Sequence, residues 1–286
     1  MIWVFYLGGS NMEIQLVALD MDGTTLRNNH RPSEYTVSAI KRVLEKGVSV
    51  VPATGRMQAL LPREIIEIEG INYAITSNGA AVVDVRTGER IKTEHVPKEY
   101  VAFMLEVLAP HDIFFELYSG GDAYASRKGM TYLQERSGVK ESIIDEFFTD
   151  RTIVVDDIHT IAEKGIEKVN MPFLSMDVRG QLLEHLLPLE GKVTMTSSDF
   201  NNIEVSALGA SKGHALEWVA AKLGISPSQV MAVGDNYNDL AMLGFAGVSV
   251  AMGNAEQAVR EAADFVTHTN EEDGVAAVLE RFILKR

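Results

Sequence analysis

Residues 16–26 read LVALDMDGTTL, an apolar run that stops on Asp20 and Asp22, one residue apart, followed by Gly23 and the hydroxyls of Thr24 and Thr25. Three later stretches carry side chains of a matching kind: ATGR at 53–56, SKG at 211–213 and GDNYND at 234–239. Carboxylates brought to one point repel one another unless a hard divalent cation lies between them, and oxygen ligands with few protein contacts suit Mg²⁺. A lysine and a hydroxyl beside such a metal suit a phosphoryl group, whose transfer depends on positioning and charge neutralisation. One carboxylate can then act as nucleophile, dividing a hard hydrolysis into two displacements through an aspartyl phosphate. A second, two positions on, can protonate the leaving oxygen and later take a proton from water.

For these groups to meet, the fold must carry them to one edge. Short apolar strands alternate with amphipathic helices at both ends of the chain. LVALD (16–20) is followed by a helix opening at Ser33, with Val37, Ile40 and Leu44 on one face and Gly47 as its stop. A strand over 48–55, a helical stretch over 57–69 and a strand over 73–79 come next. The pattern resumes with a helix from Ser211 to Leu223, facing Leu216, Val219, Ala220 and Leu223 inward, and with strands over 230–235 and 247–253. Continuous apolar strands separated by helices predict an α/β fold, a Rossmann-like parallel sheet covered on both faces. Ligands of such sheets bind beyond the carboxyl ends of the strands. Asp20 and Asp22 then lie beyond the first strand, Thr54 beyond the second, Asn78 beyond the third and Asp235 beyond VMAVG, while Lys212 starts a helix leading back into the core.

The middle of the chain has a different pattern. DIFFELY and DAYASR form a hairpin-like pair joined through Ser119, Gly120 and Gly121, with Ile113, Phe115 and Leu117 alternating. KVNMPFLSMD and KVTMTSS bracket a helical stretch near 178–188. These signals predict an inserted α+β cap over residues 85–198, with 12–84 and 199–286 forming one discontinuous core. Residues 1–11, MIWVFYLGGSN, have no basic residues ahead of their short apolar run and no cleavage-site pattern. They read as a non-native or dispensable extension, with an edge strand at the domain's side as the alternative, because EIQLVALD already begins a domain after Met12.

Composition narrows the function classes. With 46% hydrophobic and 23% charged residues over 286 positions, and a mean hydropathy of +0.03, the chain reads as globular and not disordered. A formal charge of −14 argues against nucleic acid or an anionic membrane as partner. An anionic substrate must therefore find local positive charge within its site. The absence of cysteine excludes disulfides, thiolate metal sites and a Cys nucleophile. No run is apolar enough to span a bilayer, so a cytoplasmic location is expected. The oligomeric state is left open.

DMDGTT, ATGR, SKG and GDNYND resemble, in order and spacing, the four motifs of the haloacid dehalogenase superfamily. The large insertion between the second and third is similar to that of its Cof-type phosphatases with a class II cap. The resemblance covers the chain from Met12 onward. It implies that Asp20 is the nucleophile and Asp22 the general acid/base, and that Thr54 and Lys212 hold the transferring phosphoryl group, with Asn238 close by. It further implies that Asp20, Asp235 and the backbone carbonyl of Asp22 hold Mg²⁺, with Asp239 behind them orienting Lys212 or the metal's waters. The implied substrate is a small phosphorylated metabolite such as a hexose or pentose phosphate.

Simpler readings exist for single residues. Asp-x-Asp-Gly alone is often a turn, Thr54 alone a strand-end cap and Lys212 alone a solvated lysine; their weight comes from the set. Arg56 and Asn78 reach the same edge, where a structural role competes with a functional one. A phosphomutase or phosphotransferase would share the aspartyl phosphate and differ in the acceptor. A phospho-receiver module would place its nucleophile on the third strand and needs no cap. A cation-pumping ATPase requires membrane spans, and a dehalogenase has no need of Asp22 as proton donor. Hydrolysis of a phosphate ester fits best.

Overall fold

The computed structural model describes residues 13–149, 151–197 and 201–285, with the side chains of residues 146 and 147 left aside. The extension expected over residues 1–11 lies outside the described residues. The described residues build two sheets. The first orders its strands β14-β13-β12-β1-β2-β3-β4-β5. Its members are β1 (Leu16–Asp20), β2 (Ser49–Ala53), β3 (Tyr73–Thr76), β4 (Ala81–Asp84), β5 (Arg90–Thr93), β12 (Val230–Gly234), β13 (Val248–Ala251) and β14 (Phe265–Val266). From β14 to β3 all pairings are parallel, and β4 and β5 add an antiparallel edge. All five residues of β1 and of β12 are buried, as strands covered on both faces require. The α/β class and the parallel core follow the expectation.

Helix α1 (Glu34–Glu45) begins where expected, with Ser33 accepting from the Thr36 amide at 3.0 Å. The helical stretch expected over 57–69 instead breaks into a turn of 3-10 helix at Gln58–Leu60 and a short helix at Arg63–Ile66. Pro62 between them has no N–H to give and pushes Leu61 out of the helical region. Among the described residues no helix is long and apolar enough to cross a membrane.

The second sheet orders its strands β10-β11-β9-β6-β7-β8. These are β6 (Glu116–Ser119), β7 (Asp122–Ser126), β8 (Thr152–Val155), β9 (Lys168–Met171), β10 (Val193–Thr196) and β11 (Ile203–Ala207). Its pairs are antiparallel except β7 with β8, a strand the sequence pattern did not show. One face, with Leu117, Val169, Met171 and Val205, packs on α2 (Lys98–Leu108) and α3 (Met176–Leu186). The hairpin is shorter than expected, since regular pairing starts at Glu116: Ile113 and Leu117 are buried and Phe115 is only partly so.

Strand pairing moves the expected bounds at 84/85 and 198/199. Strand β5, read as part of the insertion, pairs with β4 on the first sheet, whereas β11, read as core, pairs with β9 and β10 on the second. The reason is local. β5 is half-buried throughout and carries Arg90 and Lys92, so it lacks the apolar run of its neighbours, while IEVSA in β11 alternates apolar with polar residues and is buried along its whole length.

Candidate active site

Strand order decides where the site lies. β1 is flanked by β2 on one side and β12 on the other, so the connections run in opposite directions from it and leave a crevice at its carboxyl end. The register pairs Leu19 with Val233, which sets Asp20, at the end of β1, beside the exit of β12. Thr54 follows β2 directly, and Ser77 and Asn78 follow β3 with φ of 52° and 57°, left-handed values unusual for residues other than glycine. Helix α4 (Lys212–Leu223) then starts against this loop: a Cβ on Gly79 would run into the carbonyl of Ser211. Lys212 thereby enters the crevice from its own helix start. On that helix Leu216, Val219 and Ala220 are buried as expected, but Leu223, in the last turn, is 36% exposed.

Four of the expected residues meet in one buried cluster. Lys212 Nζ donates to Asp20 Oδ1 at 2.5 Å and to Asp239 Oδ1 at 2.6 Å. Asp239 Oδ2 accepts from the backbone amides of Asp235 at 2.9 Å and Asn236 at 3.0 Å. Asp235 accepts from Thr24 Oγ1 at 2.8 Å, and the carboxylates of Asp20, Asp235 and Asp239 each offer an oxygen within 4.8 Å of the others. Gly23 permits this approach, because at φ 77° a Cβ there would strike the Asp235 carboxylate.

Charge within the cluster is unbalanced. Burial, reinforced by Asp239 and Asp235 against the pull of Lys212, raises Asp20 well above the usual carboxylate range. Burial and Asp239 push Asp235 up to about 6. Burial alone would lower Lys212, but Asp20 and Asp239 outweigh it and hold the ammonium above its ordinary value. Three acids around one lysine are left with excess negative charge, the condition a divalent cation relieves.

The sign of the resulting pH dependence follows from linkage. In chelated protein, folded Asp235 retains a proton up to about pH 6 while its unfolded form loses it near 4, so the folded state binds more protons and stability falls as pH rises between them. Thermal melts in chelator at pH 5 and pH 7 should show the higher Tm at pH 5, with a smaller difference for Asp235→Asn. An equal pH slope in the two proteins would show that Asp235 is not its source.

The remaining expected residues divide into two groups. Asp22 is held by Arg56, whose Nε donates at 2.7 Å and whose Nη2 makes a second bond to the other carboxylate oxygen. His30 Nδ1 lies 3.6 Å away. Burial opposes ionisation of Asp22, yet His30 and Arg56 prevail and hold it well below the usual carboxylate range. Asp22 is therefore ionised in this arrangement, and it must part from Arg56 and take up a proton before it can act as an acid. Because its side chain is 46% accessible, solvent screens the pair and its contribution to stability is small. Thr54 is buried, and its Oγ1 accepts from the Arg56 amide at 3.1 Å. Asn238 donates to Asn78 Oδ1 at 3.1 Å, and its own buried Oδ1 has no partner among the described residues. Asn78 in turn donates to Glu204 Oε2 at 2.7 Å, a structural tie between the two sheets.

That tie belongs to a wall the sequence reading missed. The inner face of the second sheet carries Glu116, Tyr118, Lys168, Asn170 and Glu204, which close a cavity of about 420 Å³ also lined by Asp20, Asp22 and Arg56. Lys168 Nζ donates to the Gly55 carbonyl and to Glu204 Oε1, both at 2.7 Å, and stands 4.5 Å above the Tyr118 ring. Beside them, Ser77 Oγ donates to Glu167 at 3.0 Å, and Arg90 pairs with the same carboxylate. The signal was present in KVNM and ELYS, where Lys168 and Asn170, or Glu116 and Tyr118, alternate with residues of the packed face.

A family model described as haloacid dehalogenase-like hydrolase matches residues 17–279. The chain belongs to that family. A curated Bacillus subtilis relative, 5-amino-6-(5-phospho-D-ribitylamino)uracil phosphatase YcsE, is 32% identical over 275 residues, 96% of this chain and 98% of its own length. Among solved structures, a haloacid dehalogenase-like hydrolase from Bacteroides thetaiotaomicron superposes with a TM-score of 0.80 at 27% identity, covering 95% of this chain and all of its own. A subclass IIB sugar phosphatase shares the fold, with a TM-score of 0.79 at 24% identity over 94% of this chain and 98% of its own. This hydrolase is thus a phosphatase of the family's Cof type, as its four motifs imply.

Proposed function

We propose that this phosphatase hydrolyses small phosphorylated metabolites, sugar phosphates among them, with Mg²⁺ and through an aspartyl phosphate on Asp20. The second sheet and its helices act as a cap over the strand ends, with Asp20 reacting beneath it. The observation that carries this reading is Lys212 set between Asp20 and Asp239, with Asp20 and Asp22 both facing one cavity.

Asp20 attacks the phosphorus and the bond to the leaving oxygen breaks; Asp22, released from Arg56 and protonated from solvent beforehand, gives that oxygen its proton. Water then attacks the aspartyl phosphate, Asp22 takes the proton, and inorganic phosphate leaves with the Asp20 carboxylate restored. Lys212 and the Thr54 hydroxyl hold the phosphoryl oxygens, and Asn238 stands beside them. Asp239, bound to Lys212 and to two backbone amides, keeps the ammonium aimed. Closed over by the cap, the reacting groups are shielded from competing water.

The donor set fits Mg²⁺. Of the three clustered acids, Asp239 has both oxygens engaged, which leaves Asp20 and Asp235, joined by the Asp22 backbone carbonyl, to hold the ion. When bound, the ion neutralises charge on the phosphoryl oxygens and lowers the repulsion between Asp20 and its target. Exhaustive chelation is expected to abolish phosphate release and Mg²⁺ to restore it. Calcium should inhibit, since its larger and looser shell misplaces the nucleophile. Full turnover after chelation would remove the metal from this reading. The substrate class is tested by a Mg²⁺-dependent phosphate-release screen of sugar phosphates, polyol phosphates, nucleotides and phosphopeptides. Phosphopeptides cleaved faster than every small phosphate would overturn it.

A further inference from the structure

Resting on this reading of the site, we propose that the cap end of the cavity selects leaving groups bearing a flat ring, with Phe173 as the residue that recognises it. The polar part of the wall is largely occupied by its own bonds. Glu116 accepts from Thr152 at 2.7 Å and from Asn170 at 2.9 Å, while Lys168 is spent on the Gly55 carbonyl and Glu204. Glu204 is further bound to Asn78. Hydroxyls of a bare sugar would have to displace these bonds to be read by this part of the wall.

The same cavity continues to Ile143, Phe148 and Phe173. The direction follows from β9, whose Lys168 touches the Gly55 loop; Asn170 stands two residues further on the same face, and the chain then leads through Pro172 to Phe173. A phosphate held at Asp20 therefore has its leaving group directed past the polar wall toward this apolar end. Phe148 packs edge-on against Phe114 at 5.2 Å and against Phe173 at 5.7 Å, so the rings form a herringbone row that a further planar ring can extend.

Phe173 itself is strained. Its φ of 57° lies in the left-handed region, costly for an aromatic residue, and the next amide, Leu174 N, is fixed to the Asn201 carbonyl at 2.8 Å. Partly exposed where Phe114 and Phe148 are buried, the ring is held at the cavity instead of being withdrawn into the core. Strain of this kind persists where the surroundings enforce it and is concentrated at ligand contacts.

The test compares two phosphates that differ by a ring: uridine 5′-monophosphate and ribose 5-phosphate. The intact enzyme with Mg²⁺ is expected to show kcat/KM about 10-fold higher for the nucleotide, the scale of one ring contact with its buried area. Phe173→Asn removes the ring while suiting the left-handed backbone, and should reduce this ratio by about 10-fold; Phe173→Tyr should retain it. Equal hydrolysis of the two substrates, or a ratio unchanged in Phe173→Asn, overturns the inference alone. Hydrolysis of neither above the Asp20→Asn background overturns the proposed reading of the site, and the inference with it.

Discussion

Asp20→Asn is expected to reduce phosphate release by about 10⁶-fold, the scale on which removal of a catalytic nucleophile acts. The substitution keeps size and shape at the end of β1, and the bond that Thr25 Oγ1 makes there goes to the Asp20 backbone carbonyl at 2.6 Å. The fold should therefore survive. It also removes one of three acids crowded around a single lysine, so Tm in chelator should hold or rise relative to the parent enzyme. Loss of activity with retained or increased stability is the signature of a chemical role, and one that collapse of the structure could not produce. Asp22→Asn should slow turnover less for p-nitrophenyl phosphate, whose leaving group scarcely needs protonation, than for an alkyl phosphate. Near-parental turnover in Asp20→Asn would refute the covalent route, and equal losses for the two leaving groups in Asp22→Asn would refute proton donation by that residue.

Lys212→Met should act on stability and chemistry together. The ammonium is buried, and both of its bonds go to carboxylates. Its loss strands Asp20 and Asp239 without their donor, and removing one partner from a buried ionic cluster costs about 3–5 kcal/mol. For a chain of this size that corresponds to a fall in Tm of roughly 10 °C. Turnover should fall by about 10³-fold or more through the lost clamp on the phosphoryl oxygens. Mg²⁺ should recover part of the Tm, since it neutralises the same acids, without recovering turnover. A variant as stable as the parent would mean that the cluster is not organised around Lys212. Complete rescue of turnover by Mg²⁺ would reduce the lysine to a counter-charge.

The two variants separate roles that the cluster fuses. Asp239 touches Lys212 and the amides of residues 235 and 236 together, so it joins the start of α4 to the exit of β12. Its contribution is positional, made by holding two segments in register.

The sequence by itself determined the parallel core and the residues at its edge. Each strand's apolar run and each polar stop are written within a few consecutive residues, and a parallel sheet converts strand ends into a single rim whatever the loops do. Asp20, Thr54, Asn78 and Asp235 were legible for that reason, and Lys212 as the start of a helix leading back into the core. Only the tertiary structure decided how the acids divide their work. The cluster's bonds show Asp239 engaged by Lys212 and two amides, and Asp22 tied to Arg56 across 34 residues, contacts for which no local pattern codes. It also decided the cap wall. Alternation in β6 and β9 marks two faces but cannot say which meets solvent and which meets a second sheet. That choice was made by Lys168 reaching Gly55 across 113 positions and Asn78 reaching Glu204 across 126. Polar residues that look solvated in a strand become buried partners when another surface arrives with the complementary donors and acceptors, because desolvation then costs less than the bonds return.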